Sequence, residues 1–349
     1  MNALEAVGKF VSTFAGAFPG NVTQGLIWGI MAIGVFITYK ILDFADLTVD
    51  GTLSLGGIVA VVLITNGVPV PLAMMIAFAA GCLAGLCTAL LNTVFGIPGI
   101  LSGILTQLAL WSVFLSISGG QANMGISARN FPVVISMGKV TAGNSIIDIL
   151  CTIGIGFAYV AIIIAVLYWF FGTEYGMAIR ATGTNPSMSK AEGINTKKTT
   201  VIALVLSNGL VGLSGALLAQ YQGNADASMG KGAIVVGLAA VIIGMVLGEI
   251  IFKKKFNFIC KLIFTVLGAV IYYNVLSIVT LLGLPSAYNK MFSAIIVALF
   301  LAVPYIQKAS KTSFRKAEKH SLNTVTNEAE HMGVVLEKSL TSPKKREDK

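Results

Sequence analysis

The chain has few charged side chains for its size. Asp, Glu, Lys and Arg make up 11% of its 349 residues, whereas soluble globular proteins carry about 25%. Hydrophobic residues make up 56% of the chain, and the mean hydropathy is +0.85. Because so little polar surface is available, most of the molecule cannot face water. An ordinary soluble domain is therefore excluded.

Residues and motifs on which enzymes depend are also scarce. Both histidines, His320 and His331, lie in the polar C-terminal tail, so the apolar segments hold no histidine-based site. The phosphate-binding motif G-x-x-x-x-G-K-[ST] is absent, which excludes ATP binding by that route. The cysteines lack paired metal-ligand spacing and are expected to pack as small apolar residues; they are Cys82, Cys87, Cys151 and Cys260. We predict a protein that is not an enzyme and carries no cofactor and no metal.

Basic residues outnumber acidic ones, but no basic face with interleaved aromatic residues accompanies them. We attribute the formal charge of +9 to membrane topology and to membrane lipid as a partner, and we expect no nucleic acid. Residues 307–349 are polar and basic without an apolar core. They are expected to form a disordered cytoplasmic tail held near anionic headgroups.

Long apolar runs fill the rest of the chain. A helix needs about 20 mostly apolar residues to cross the hydrocarbon core. Eight runs are candidates: 22–41, 70–95, 97–118, 146–171, 200–221, 233–252, 256–282 and 291–306. A ninth run, 52–65, is too short to cross unless it begins near Leu47. The pattern predicts an all-α integral membrane protein, a polytopic bundle of about 8–10 transmembrane helices over residues 22–306, some of them discontinuous. Residues 1–21 are expected to form an interfacial segment.

Lysine and arginine placement predicts the orientation. Residues 172–198 and the turn after Gly248 both carry several of them, so both are expected to be cytoplasmic. Counting spans from these loops places residues 43–50 on the cytoplasmic side and residues 119–145 on the outer side.

Three carboxylates, Asp43, Asp46 and Asp50, surround a predicted helix break. They form either a solvated cytoplasmic turn or a group that lines a path or braces two half-helices. The spans are otherwise almost free of charge. Carriers driven by protons or sodium usually keep a charged group near the membrane midplane, so such a carrier would have to use one of these acids.

The loop over residues 172–198 reads GTEYGMAIRATGTNPSMSKAEGINTKK. It predicts an amphipathic helix bounded by Gly and Pro. A short helix on the cytoplasmic face suits docking into a groove of a partner, and an ordinary solvated loop is the alternative.

Four segments together resemble one family. Residues 176–186 (GMAIRATGTNP) and 191–195 (AEGIN) are similar to the cytoplasmic coupling segment of ABC importer permeases of the branched-chain amino acid and ribose type. Residues 207–223 and 44–51 resemble the same family, and the likeness runs from about residue 22 to 306. Residues 122–125, 220–223 and 283–290 are similar to the tryptophan/tyrosine-type branch.

The resemblance implies a division of labour between polypeptides in a bacterial cytoplasmic membrane. A second permease copy, most simply identical, would complete a dimer around a central path. A separate cytoplasmic ABC ATPase subunit would supply the energy, and an extracytoplasmic substrate-binding lipoprotein would deliver the solute. That solute is expected to be an aromatic or branched-chain amino acid or a related compound. Because a gate moves only through differential affinity for its states, the path should bind the solute weakly, through walls without fixed charges.

The same resemblance implies which residues matter. The expected ATPase-coupling residues are Arg180, Ala181, Gly183, Asn185, Pro186, Ala191, Gly193 and Ile194. The expected translocation-path residues are Asp46, Thr48, Asp50, Gln107 and Asn123. An ion-coupled secondary transporter is the alternative function, and a receptor or assembly scaffold is the third class.

Overall fold

The structure is a computed structural model in which the described residues are 3–126, 131, 133–135, 146–252, 257–281 and a few positions between 291 and 302. The chain divides into two units, residues 1–298 and 299–349. Everything below concerns the first unit. The predicted tail from residue 307 onward lies outside the described residues.

The described residues form mainly long helices. The elements are α1 (Ala3–Val35), continued by a π-helical turn (Phe36–Ile41), α2 (Thr48–Thr65), α3 (Val70–Thr93), α4 (Gly99–Ile117), β1 (Asn123–Gly125), α5 (Ile146–Gly172), α6 (Glu174–Thr184), α7 (Pro186–Ala191), α8 (Thr196–Gln222), β2 (Asn224–Asp226), α9 (Ala233–Phe252) and α10 (Phe258–Leu281). Eight helices in this part of the chain are long and apolar enough to cross a membrane.

The sequence-based prediction of a polytopic helical bundle is confirmed. Eight of the nine predicted spans correspond to these helices, and the ninth, over residues 291–306, is interrupted by residues outside the described set. The short run does begin earlier than its apolar core, because α2 starts at Thr48 and reaches 18 residues. The predicted N-terminal boundary at residue 21 is wrong, since α1 continues unbroken from Ala3 to Val35 with Pro19 inside it.

Two buried helices, α2 and α8, form the centre of the bundle, together with the second half of α1. Glycines let backbones approach closely where lipid offers no hydrophobic driving force. A Cβ on Gly81 or Gly85 of α3 would meet the backbone of α8, and one on Gly25 of α1 would meet Val270 of α10. The small-residue spacing in the sequence therefore marks helix contacts.

The chain is not helical between α1 and α2. Asp43 has a φ of 57°, and residues 43–46 have no helical structure before α2 begins. A second non-helical stretch follows α8, where β2 pairs antiparallel with β1 and turns lead into α9. Non-helical backbone at membrane depth is tolerated where it is buried in protein or lines a water-filled cavity. These two stretches meet at the candidate site.

Candidate functional site

The three acids near the first break have three different environments. Asp43 is exposed, Asp46 is buried and Asp50 is half-buried. Asp46 is only 1% exposed. One of its carboxylate oxygens accepts a hydrogen bond from the backbone N–H of Thr48 at 2.9 Å, and the other accepts from Nδ2 of Asn208 at 2.6 Å. The interpretation of a solvated turn is therefore wrong for Asp46, because its carboxylate is enclosed between helices.

A buried polar network extends from this pair. The Thr52 hydroxyl donates to Oδ1 of Asn208 at 2.8 Å. The hydroxyls of Thr48 and Thr88 lie 2.6 Å apart, and Thr88 donates to the Thr106 hydroxyl at 2.9 Å. Because buried polar groups are expensive to leave unpaired, these bonds fix α2, α3, α4 and α8 in one arrangement around the break.

Asp50 joins the two non-helical stretches. Its carboxylate oxygens accept hydrogen bonds from the backbone N–H groups of Gly232 and Ile234, each at 2.9 Å. These groups belong to the start of α9, whose unpaired N–H groups and partial positive charge favour a carboxylate. Asp50 therefore braces the N-terminus of α9 against the first turn of α2, as a discontinuous helix requires.

A cavity of about 290 Å³ opens beside Asp50. Gln107, Trp111 and Phe114 of α4 line one wall, and Lys231 lines another. The ammonium nitrogen of Lys231 lies 4.6 Å from the centroid of the Trp111 ring. The cavity thus combines one carboxylate, one ammonium group, one amide and an aromatic wall.

The charged wall of this cavity lies within the depth of the bundle. Trp111 is 12 residues after Gly99 and six before Ile117, which places it about 18 Å and about 9 Å from the ends of α4. Asp50 is 15 residues before Thr65, or about 22 Å from the outer end of α2. An intramembrane charge is costly against lipid. Water or another protein surface must therefore face Lys231, and the expectation of walls without fixed charge is wrong here.

The predicted path residues are only partly brought together. Asp50 and Gln107 line the cavity. Asp46 and Thr48 are buried in the network behind it. Asn123 lies apart from the cavity lining, in β1, where it pairs with Asp226. A short polar strand is weakly marked in sequence, so its register could not have been predicted.

The coupling segment folds as two short helices, α6 and α7, between α5 and α8. Asn185 caps α7 by accepting a hydrogen bond from the backbone N–H of Met188 at 3.0 Å, and Pro186 occupies the first helical turn. Asn195 caps α8 in the same way, accepting from Lys198 at 3.2 Å. Capping side chains followed by Pro are ordinary helix-start signals, which explains why the chain breaks here.

The expected coupling residues divide into an outer and an inner set. Those on the outer, exposed surface are Asn185, Pro186, Ala191 and Gly193, and those half-buried against the bundle are Arg180, Ala181, Gly183 and Ile194. Met188, at the centre of the outer set, is 59% exposed. The sequence analysis did not single it out, although an apolar residue between two polar ones after a capped Pro was available as a signal.

Arg180 faces the protein rather than the cytoplasm. Its guanidinium donates to the backbone carbonyl of Phe171 at the end of α5 and lies 4.7 Å from the centroid of the Phe258 ring at the start of α10. Arginine pairs with carbonyls and aromatic faces in this way because its guanidinium is planar and weakly hydrated. Arg180 therefore holds α6 to two membrane helices.

Two glycines shape the segment. A Cβ on Gly183 would collide with the carbonyl of Ile41, so only glycine allows α6 to rest on the end of the π-helical turn. Gly193 has a φ of 85°, a conformation that costs other residues about 1 kcal/mol or more. The first glycine positions the segment, and the second ends α7.

Asn208 and Lys231 were missed by the sequence analysis. Asn208 is a polar residue in the middle of an apolar helix, and Lys231 is a lone cation between two spans. Both are rare enough in such contexts to have served as signals. Their partners, however, lie more than 100 residues away along the chain.

Comparison with known proteins agrees with this geometry. Residues 20–303 match the model of the family described as branched-chain amino acid transport system / permease component. A tyrosine transport system permease protein of Clostridioides difficile is 37% identical over 281 residues, covering 80% of this chain and 89% of the relative. A galactofuranose transporter permease protein of Escherichia coli is 26% identical, covering 74% and 71%.

A third relative, a nucleoside ABC transporter permease protein of Lactococcus lactis, is 30% identical over 46% of this chain and 50% of its own length. No solved structure matches. The family match spans almost the whole membrane part, and the eight candidate spans fit a multi-pass protein of the cell membrane. The chain therefore belongs to the branched-chain amino acid transport system permease family, the membrane-spanning components of ABC transporters.

Proposed function

We propose that this chain is the translocation subunit of a binding-protein-dependent importer for an amino acid. Two copies surround the path, a separate ATPase docks on α7 from the cytoplasm, and a binding lipoprotein delivers the solute from outside. The observation that carries the proposal is the exposed, separately capped helix α7 on a loop that returns to the bundle. No motif in the sequence handles phosphate, so energy has to enter through such a contact.

A continuous set of contacts links this docking surface to the cavity. Helix α6 rests through Gly183 on Ile41, at the end of the first transmembrane helix. The non-helical residues 43–46 follow, and Asp46 ends them in the buried network. Two residues later α2 begins, and Asp50 in its first turn braces α9. A displacement of α7 can therefore reach the cavity through packed elements, as coupling requires.

The cavity beside Asp50 and Lys231 is the proposed section of the path in this chain. Its support is the depth of these charges, which lipid would disfavour. The exposed face of α4, including Leu105 and Leu108, is where the second copy is expected to close the path.

The buried acids favour an ATP-driven importer over an ion-coupled carrier. Asp46 is satisfied by Thr48 and Asn208, and Asp50 is satisfied by two backbone N–H groups. A carboxylate that binds and releases protons or sodium in each cycle has to exchange its partners. Here both acids serve the packing of helices.

The solute is proposed to be an amino acid with an aromatic side chain. Its support is the tyrosine transport system permease protein among the relatives and the aromatic wall of the cavity. The test is to purify the complex of this chain with its ATPase and to measure ATP hydrolysis with binding lipoprotein loaded with L-tyrosine. Stimulation by the loaded protein is expected, and hydrolysis that is indifferent to it contradicts the proposal.

A further inference from the structure

The cavity between α2, α4 and the start of α9 carries two opposite charges and an aromatic surface on adjacent walls. Asp50 supplies the carboxylate, Lys231 the ammonium group and Trp111 the ring. Its volume of about 290 Å³ is at the lower end of the roughly 300–1,000 Å³ typical of small-molecule sites. A ligand of matching chemistry has a carboxylate, an ammonium group and an aromatic or apolar side chain.

Lys231 is available for a ligand. Within the part of the chain that the structure describes, its ammonium group lies over the Trp111 ring and within ion-pair range of no carboxylate. A cation held by a ring alone exchanges readily for a carboxylate, because a charge-assisted hydrogen bond is stronger than a cation–π contact at an exposed site. When Lys231 turns to a carboxylate, it also uncovers the face of Trp111, which is 38% exposed.

Asp50 retains capacity to bind a cation. A carboxylate offers about four acceptor positions, and the backbone N–H groups of Gly232 and Ile234 occupy two. The side-chain amide of Gln107 lies on the same wall and can accept or donate. An ammonium group can therefore approach Asp50 without breaking the brace on α9.

We propose that this cavity is a binding station for a zwitterionic amino acid within the permease itself, with Lys231 taking the carboxylate, Asp50 the ammonium group and Trp111 the aromatic side chain. This inference rests on the proposed importer function and adds a solute-selecting site to it. Sugars and nucleosides carry neither charge, so they would leave both walls unpaired at a depth where charges are costly. Selection is thus shared between the binding lipoprotein and this chain.

The test uses the tryptophan fluorescence of the full-length protein in lipid nanodiscs. L-tyrosine is compared with tyramine, which lacks the carboxylate, with 3-(4-hydroxyphenyl)propionate, which lacks the ammonium group, and with ribose. We expect L-tyrosine to change the fluorescence, both analogues to bind roughly tenfold more weakly or worse, and ribose to have no effect. The Trp111→Phe variant should lose the signal, since Trp28 and Trp169 do not line the cavity.

Lys231→Gln is the decisive variant. Lys231 is exposed, so the substitution should not disturb folding. It should make L-tyrosine and tyramine bind equally weakly while leaving the preference for tyramine over the acid analogue. An unchanged ratio of L-tyrosine to tyramine affinity overturns the proposal, as does equal binding of ribose or no signal with any ligand.

A second measurement does not depend on fluorescence. Gln107→Cys, in a protein whose native cysteines are replaced by serine, should be protected from a polar thiol reagent by L-tyrosine but not by tyramine. Equal protection by both, or none, overturns the binding station. If ATP-driven uptake continues in Lys231→Gln with an unaltered substrate range, the station is wrong while the importer function stands. Uptake that never required ATP removes the importer function instead.

Discussion

Asp46 and Asn208 form a buried pair that joins the break after α1 to the centre of α8. The carboxylate accepts from the amide at 2.6 Å, and the amide oxygen accepts in turn from Thr52. Every polar atom of the pair therefore has a defined donor or acceptor role. That directionality makes the pair open to a charge-swap test.

Exchanging the two side chains should reveal their pairing. Asp46→Asn sets two amide donors against each other, and Asn208→Asp sets two carboxylates against each other. Each single variant should lose about 1–3 kcal/mol of unfolding free energy, seen as a lower thermal unfolding temperature in detergent. The double variant restores one donor and one acceptor and should recover much of the loss. A double variant whose loss is the sum of the singles contradicts a direct contact.

Neighbouring residues on α4 face different surroundings and make a matched accessibility test. Gln107 lines the cavity, whereas Thr106 is buried in the hydroxyl network. In a background without native cysteines, Cys at 107 should react with a polar thiol reagent and Cys at 106 should stay inert. Reactivity of both, or of neither, would show that the cavity is not reached by water.

The sequence identified the three acids as special but could not separate their roles. Their spacing around an apolar break was visible, and it predicted either a solvated turn or a brace. What decides the outcome for Asp46 is Asn208, and for Asp50 it is the backbone at Gly232 and Ile234. These partners are more than 150 residues away, so no local pattern reports them.

At the scale of elements, α7 presents one apolar side chain to the cytoplasm. Met188 is 59% exposed among polar neighbours, which is the composition of a small docking surface. Met188→Glu should reduce recovery of the ATPase with the purified protein several-fold, because a charge is placed in the contact. Met188→Leu, which keeps an apolar side chain, should not. Unfolding temperatures should match in both variants, and equal ATPase recovery contradicts docking on α7.

Arg180 acts on the other side of the same segment. Its contacts with the Phe171 carbonyl and the Phe258 ring predict that it positions α6 rather than touching the ATPase. Arg180→Gln should lower the unfolding temperature, with a loss of about 1–3 kcal/mol, and should also weaken ATPase recovery. Recovery lost with an unchanged unfolding temperature would assign Arg180 to the contact itself.

Helix positions were predictable to within a few residues because the hydrocarbon core demands about 20 apolar residues. The exceptions have physical causes. The start of α2 at Thr48 follows from the Asp46 hydrogen bond to Thr48, which hydropathy does not register. The extension of α1 to Ala3 carries a helix through residues that read as interfacial. Strands β1 and β2 are three residues each, too short to leave a pattern.

At the scale of the whole molecule, the described helices divide into an inner and an outer group. The inner helices α2 and α8 are fixed by buried polar bonds, and the outer helices α3, α4 and α5 expose apolar faces to lipid or to a second copy. The docking surface and the cavity are joined through the inner group, by way of Ile41, Asp46 and Asp50. The molecule can thus carry a mechanical signal although it has no site for phosphate.

The most direct test of this account is solute uptake by proteoliposomes that contain the chain, its ATPase and loaded binding lipoprotein. Radiolabelled L-tyrosine should enter only when ATP is available to the ATPase, at the same rate with or without a proton or sodium gradient. Uptake by the chain alone, driven by an ion gradient and without the ATPase, would contradict the account.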